Sequence, residues 1–135
     1  MGDRLKDKQI LVTQCGDYMG PAIETLFRKE GAILTSKDGQ VPMGNSFTQY
    51  VADLPEFDIV VANLAHDPCS APVSEIDDDN WQSLFNTMVH PLMHLIRHFA
   101  TMMAERGHGK IVAITSAVPL KGLPGSSAYC AARGA

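Results

Sequence analysis

Long apolar runs are missing from this chain of 135 residues. No segment approaches the roughly 20 consecutive apolar residues that a membrane-spanning helix needs. The opening stretch, Met1-Gly2-Asp3-Arg4-Leu5-Lys6-Asp7-Lys8, has no apolar centre of the kind a secretory signal carries. Lys6 stands where an N-myristoylation signal wants Ser or Thr. Basic residues are also in deficit. Eleven Lys and Arg against 15 Asp and Glu give a net charge of −4, which argues against a nucleic-acid surface or a polybasic membrane patch. Cysteine is scarce: Cys15, Cys69 and Cys130 are odd in number and far apart. They form neither a disulfide framework nor a zinc knuckle, so reduced thiols in the cytoplasm are the expectation. There is no internal repeat and no low-complexity tract. With 45% hydrophobic residues, the chain reads as one soluble globular unit long enough to bury a core.

The apolar segments that are present alternate between two periods. Lys8 to Thr13, Ala32 to Ser36, Phe57 to Asn63 and Lys110 to Thr115 are short runs rich in β-branched and aliphatic residues. They read as buried strands because they lack the alternation of a one-sided sheet. Between them, Gly20 to Gly31 shows a helical face in Ile23, Leu26 and Phe27, with Gly31 as its stop. Lys37 to Ser46 reads as a loop and Phe47 to Leu54 as a short helix. Asp77-Asp78-Asp79-Asn80 places carboxylates at a helix start, where the helix dipole favours them. Leu92, Leu95, Ile96, Phe99 and Met103 then mark the core stripe of one long helix ended by Gly107 and Gly109. Strands alternating with helices predict a doubly wound α/β sheet, parallel with right-handed crossovers. Because the chain stops two residues past Arg133, the expectation is a single partial domain over 1–135. Its C-terminal strands would be missing and the strand ending at Thr115 left as an uncovered edge.

The richest chemistry lies near the end. Ser116 follows a strand, where ligands of open α/β sheets sit, and Tyr129 and Arg133 are four apart, hence on one helix face. A tyrosine ordinarily loses its proton near pH ~10, so a role as base near neutrality needs about 4 kcal/mol of help. A cation about 4 Å away at an effective dielectric of ~20 supplies roughly that much. Arginine stays charged throughout and can do so permanently. The same residues also read as a strand-end serine, a half-buried helical tyrosine and a surface arginine.

Glycine is sparse where a dinucleotide would want it. The first strand-to-helix turn, Thr13-Gln14-Cys15-Gly16-Asp17-Tyr18-Met19-Gly20, offers only Gly16 and Gly20. Close approach of backbone to a pyrophosphate usually takes more. The phenol of Tyr18 adds well over ~100 Å² of side-chain surface at that place. A helix N-terminus still attracts anions, so the turn reads as built for a small anion rather than a phosphate ester. Against this, Asp38 stands just past the second strand, where an acid often holds the adenosine ribose.

Other groupings carry less. His90, His94 and His98 share a helix face, yet Pro91 stands where a metalloprotease motif wants glutamate. The apolar stripe beside them claims the core, which points the histidines to solvent or a subunit contact. The acidic run Asp77 to Asp79 lacks the spacing and glycine of a calcium loop. His66 follows a strand end near the site, without a spacing that decides its role.

The whole chain resembles the N-terminal half of a short-chain dehydrogenase/reductase, in the first-strand turn, Asp58 to Ala65 in place of an Asn-Asn-Ala-Gly strand end, Trp81, and Ser116 with Tyr129. Within that superfamily it more closely resembles the halohydrin dehalogenases. Thr13, Tyr18 and Gly20 match Thr-x4-(Phe/Tyr)-x-Gly, and Ser116, Tyr129 and Arg133 match Ser-x12-Tyr-x3-Arg. Cofactor-using relatives carry lysine in place of Arg133 and glycine in place of Gln14 and Tyr18. A helical asparagine often catalytic in them is Met88 here, with Asn86 two residues early.

The resemblance implies an incomplete Rossmann-like fold and a carbon–halide lyase working without a cofactor. Tyr129, helped by Arg133, would take the proton of a vicinal haloalcohol held by Ser116. The alkoxide would displace halide and close an epoxide, or the reverse. Thr13, Tyr18 and Gly20 would belong to the halide and substrate pocket, with no metal. It also implies a homo-oligomer, a homotetramer in many members, with the long helix at the subunit contact. Two alternatives stay open. One is an NAD(P)-dependent oxidoreductase of the same superfamily, with Gly16, Gly20, Asp38 and Asn63 holding NAD. The other is an inactive truncated fragment.

Overall fold

The computed structural model describes residues 2–68 and 70–135. Met1 and Cys69 lie outside the described residues, and with Cys69 the reading of its thiol. Four strands, β1 (Gln9–Thr13), β2 (Ile33–Lys37), β3 (Ile59–Asn63) and β4 (Lys110–Ile114), form one parallel sheet in the order β2-β1-β3-β4. The helices are α1 (Gly20–Lys29), α2 (Asn45–Ala52), α3 (Asp78–Leu84), α4 (His90–Arg106), α5 (Val118–Lys121) and α6 (Ser127–Gly134). This is the Rossmann-like doubly wound arrangement that the alternation of periods predicts.

Successive side chains of a strand point to opposite faces, and the central strands are apolar on both. Ile10, Val12 and Val61 pack under α1 against Ile23 and Phe27. Leu11, Val60 and Ala62 face the other way, onto Phe47 and Val51 of α2 and Leu95, Phe99 and Met103 of α4. At about 25 cal/mol per Å² of apolar surface removed from water, this double burial is the main stabilising term. β4 is one of the two edges, and Val112, paired beside Val61, is 43% exposed.

Two details depart from the sequence reading. The segment after Asp77 is not one helix, because a π turn at Phe85–Val89 separates α3 from α4. Pro91 explains it: with no N–H to bond the Thr87 carbonyl and a ring that crowds it, proline breaks the i→i−4 ladder, which relaxes into a wider turn. Ile96 does not join the core stripe. It is 43% exposed and lines an apolar groove of about 400 Å³ with Leu92, Met93 and Ala113. The helix stops behave as expected, with Gly31 at φ 86° and Gly107 at φ 77°. Asp77 caps α3, its carboxylate accepting the Asn80 N–H at 2.6 Å. Among the described residues, no helix is long and apolar enough to cross a membrane.

Candidate active site

The site collects at the C-terminal ends of the strands, where the β1–α1 turn, the segments after β2, β3 and β4, and α6 converge. The turn keeps a glycine-type backbone without the glycines. Gln14 has φ 43° and Tyr18 φ 52°, a left-handed region that costs a non-glycine residue roughly 1–2 kcal/mol. Specific bonds hold it there. The Gln14 side chain is turned inward, its Nε2 donating to the Ala65 carbonyl at 3.2 Å and its Oε1 accepting the Ala65 N–H at 3.1 Å. Asn63, fully buried at the end of β3, donates from Nδ2 to the carbonyls of Gln14 and Asp17, both at 2.9 Å.

The two glycines of the turn are closely packed, Gly20 against backbone and Gly16 against the end of a side chain. A Cβ on Gly20 would collide with the Cys15 carbonyl, and one on Gly16 would lie 2.7 Å from Asp38 Oδ1. Asp38 therefore sits directly against the turn, with Oδ1 also accepting the Gly39 N–H at 2.8 Å. Thr13 is buried, its hydroxyl spent on the backbone of β3. Of Thr13, Tyr18 and Gly20, Tyr18 is the one whose side chain lines the cleft.

On the far side, the ring of Tyr129 is anchored in an apolar nest with Leu84, Met88, Ala128 and Ala132. Arg133 donates from Nε to the Tyr129 oxygen at 3.1 Å and from Nη1 to the Ile114 carbonyl at 3.0 Å. Its guanidinium carbon lies 5.4 Å from the centroid of the Tyr129 ring and 5.5 Å from that of Tyr18. Ser116 Oγ accepts the Val118 N–H at 3.2 Å, which leaves its proton free to donate. Between the β1–α1 turn and α6 lies a cleft of about 560 Å³, bordered by Asp17, Tyr18, Gly39, His66, Tyr129 and Arg133; Ser116 and Asp38 stand beside it rather than among its lining residues. That volume is in the range of small-molecule and cofactor sites.

Residues the motifs did not single out also take part. His66 lines the cleft, its Nε2 paired with Ser83 Oγ at 3.1 Å; its place three residues past β3 was the available signal. Thr115 donates its hydroxyl to the Arg133 carbonyl at 3.1 Å, a bond without a sequence signature. The histidine ladder is not on a solvated face. His94 and His98 are half-buried against Phe47 of α2, with ring centroids at 5.3 and 6.0 Å. Among the described residues, no three His, Cys, Asp or Glu side chains gather as a metal site.

A model of the short chain dehydrogenase family matches residues 39–135. The chain is 29% identical over 134 residues to nodulation protein G of Rhizobium sp., covering 98% of this chain and 49% of that protein. It is 29% identical over 82 residues to a 2-dehydro-3-deoxy-L-rhamnonate dehydrogenase (NAD(+)) of Sphingomonas sp., covering 61% and 33%. The chain thus spans about half the length, or less, of the curated relatives it matches. Its fold is similar to that of a solved "Dehalogenation enzyme" (TM-score 0.81, 22% identity, 96% of this chain and 62% of the other). It is also similar to that of a 3-oxoacyl-[acyl-carrier protein] reductase with bound NAD from Brucella melitensis (TM-score 0.85, 18% identity, 98% and 63%).

These relatives correct the expectation of a cofactor-free site: the family is one of dehydrogenases, one relative is an NAD(+) dehydrogenase and one structural neighbour holds bound NAD. The physical error lay in treating side-chain bulk at positions 14 and 18 as a plug. Gln14 folds into the protein onto Ala65, and Tyr18 lies against Arg133 as one wall of a cleft that stays open.

Proposed function

The chain belongs to the short-chain dehydrogenase family, and on that premise we propose that it is the nucleotide-side part of an NAD(P)-dependent oxidoreductase acting on a small alcohol or carbonyl compound. Residues 1–135 would then be a single partial domain of the whole fold. The observation that carries the reading is the 3.1 Å bond from Arg133 Nε to the Tyr129 oxygen at the edge of the open cleft.

The residues present fit a nicotinamide nucleotide. Asp38 stands at the end of β2, where an acid meets the adenosine ribose, and Gly16 leaves it the room to do so. The first turn of α1 carries no side-chain cap, but the Gly20 N–H is taken by the Asp17 carbonyl at 2.8 Å and Pro21 has none, so what α1 offers a pyrophosphate is chiefly the positive end of its dipole. Gly20 brings the start of α1 close to the turn. Asn63 acts from behind, fixing the turn through two carbonyls.

Bound nicotinamide supplies the hydride acceptor. The rest is work for this chain's side chains. In alcohol oxidation, Tyr129 Oη takes the hydroxyl proton as the carbon loses hydride, leaving a carbonyl. The Arg133 cation at 3.1 Å stabilises the phenolate that this requires. Ser116 donates its free proton to the substrate oxygen and so orients it.

Carbon–halide lyase chemistry on a vicinal haloalcohol is a second reading, favoured by one observation, the packing of Tyr18 on Arg133 in place of glycine and lysine. One experiment separates the two. Nicotinamide absorbance is followed with NAD or NADP and a panel of small secondary alcohols, and halide release is followed from a chlorohydrin. Nucleotide reduction that requires the alcohol supports the oxidoreductase, and halide release without alcohol-dependent nucleotide reduction overturns it.

A further inference from the structure

We propose that Tyr18 is a positioning residue for Arg133, holding the guanidinium in the orientation from which it serves Tyr129. The inference rests on the reading of Tyr129 as the proton acceptor. It goes beyond any part Tyr18 plays in lining the cleft, because it acts through another side chain.

Arg133 lies on α6. Two hydrogen bonds fix it, from Nη1 to Ile114 and from Nε to Tyr129. Both lie in the guanidinium plane and leave rotation out of that plane less restrained. The ring of Tyr18, 5.5 Å from the guanidinium carbon, supplies a contact from another element of the fold. Its hydroxyl also donates to the Thr115 carbonyl at 3.4 Å, linking the β1–α1 turn to the end of β4.

The backbone shows that this contact is kept against a cost. Tyr18 is held at φ 52° although 53% of it is exposed. A large aromatic gains little core burial there, and glycine would adopt the same backbone without strain. Strain retained at an exposed aromatic calls for a compensating role, and Arg133 and Thr115 are the partners in reach.

The test uses Tyr18→Gly and Tyr18→Phe in the full chain, with thermal unfolding, kcat at saturating substrate and nucleotide, and the NMR signal of the Arg133 Nε–H, assigned by its loss in Arg133→Lys. Tyr18→Gly is expected to melt at a higher temperature, because its backbone is unstrained. It should nonetheless lose roughly three- to tenfold in kcat, the worth of a cation–π contact, and its Arg133 Nε–H should exchange with water faster. Tyr18→Phe keeps the ring and is expected to stay within about twofold of wild type. Wild-type kcat and an unmoved Arg133 Nε–H signal in Tyr18→Gly overturn the inference, as does a Tyr18→Phe variant as impaired as the glycine one. If the wild-type chain transfers no hydride, the proposed function fails, while the Nε–H comparison still decides the role of Tyr18.

Discussion

Gln14 and Ala65 exchange two hydrogen bonds through one side chain, the Gln14 amide donating to the Ala65 carbonyl at 3.2 Å and accepting its N–H at 3.1 Å. The pair ties the turn after β1 to the segment after β3, joining the two strand ends that frame the cleft. A glycine at position 14 would match the backbone but could not make this link.

Substitution at Gln14 should separate backbone strain from hydrogen bonding. Gln14→Ala loses both bonds and keeps the left-handed backbone, with an expected loss of about 2–4 kcal/mol. Gln14→Gly loses the same bonds but relieves the strain, so its loss should be smaller by roughly 1 kcal/mol. Denaturant unfolding of the two variants measures the difference; equal losses would mean that the φ of 43° stores nothing.

Asp38 is expected to discriminate for the nucleotide. Asp38→Ala should weaken NAD binding about tenfold, the worth of a hydrogen bond to a charged group, with little change in thermal unfolding. Calorimetric titration of NAD into both proteins checks it, and unchanged affinity removes Asp38 from the site.

Tyr50 gives the chain an alkaline dependence. Its hydroxyl is buried with no partner among the described residues, and burial pushes its phenol up to about 12 from an ordinary 10. The neutral form is thus favoured in the fold. The contribution is fully present below pH 10 and is lost as pH rises toward about 12, because the unfolded chain ionises first. Tyr50→Phe should flatten that part of the stability profile and leave neutral-pH stability equal or up to about 1 kcal/mol higher, since an unsatisfied hydroxyl goes. An unchanged alkaline limb in pH-dependent melting would contradict the assignment.

Arg133→Lys tests the planar fork. One ammonium cannot reproduce donors aimed at both Ile114 and Tyr129. The variant is expected to keep the cation yet lose about tenfold or more in kcat through altered geometry. Wild-type rates would count against a specific role for the guanidinium.

Much of the fold was legible because the strands advertise themselves. Ile10 to Thr13 and Val60 to Asn63 are apolar on both faces, as only central parallel strands are. Tyr129 and Arg133 were legible because four-residue spacing fixes a shared helix face. What the sequence hid depends on side-chain direction. Nothing in the spacing tells that Gln14 folds inward onto Ala65 or that Tyr18 leans onto Arg133, and so bulk at both positions reads as an obstruction. His94 and His98 hid for the same reason: a ladder shows which residues share a face, while Phe47, about 50 residues earlier in the chain, determines what covers it. The π turn before Pro91 was readable in principle, since a proline inside a helical pattern marks a break.

A crystal of this chain grown with NAD tests the central claim most directly. The dinucleotide is expected in the cleft, its adenosine ribose on Asp38 and its nicotinamide against Tyr129, with Tyr18 still on Arg133. A crystal at saturating NAD that shows no dinucleotide, and instead a halide held between Tyr18 and Arg133, would contradict it.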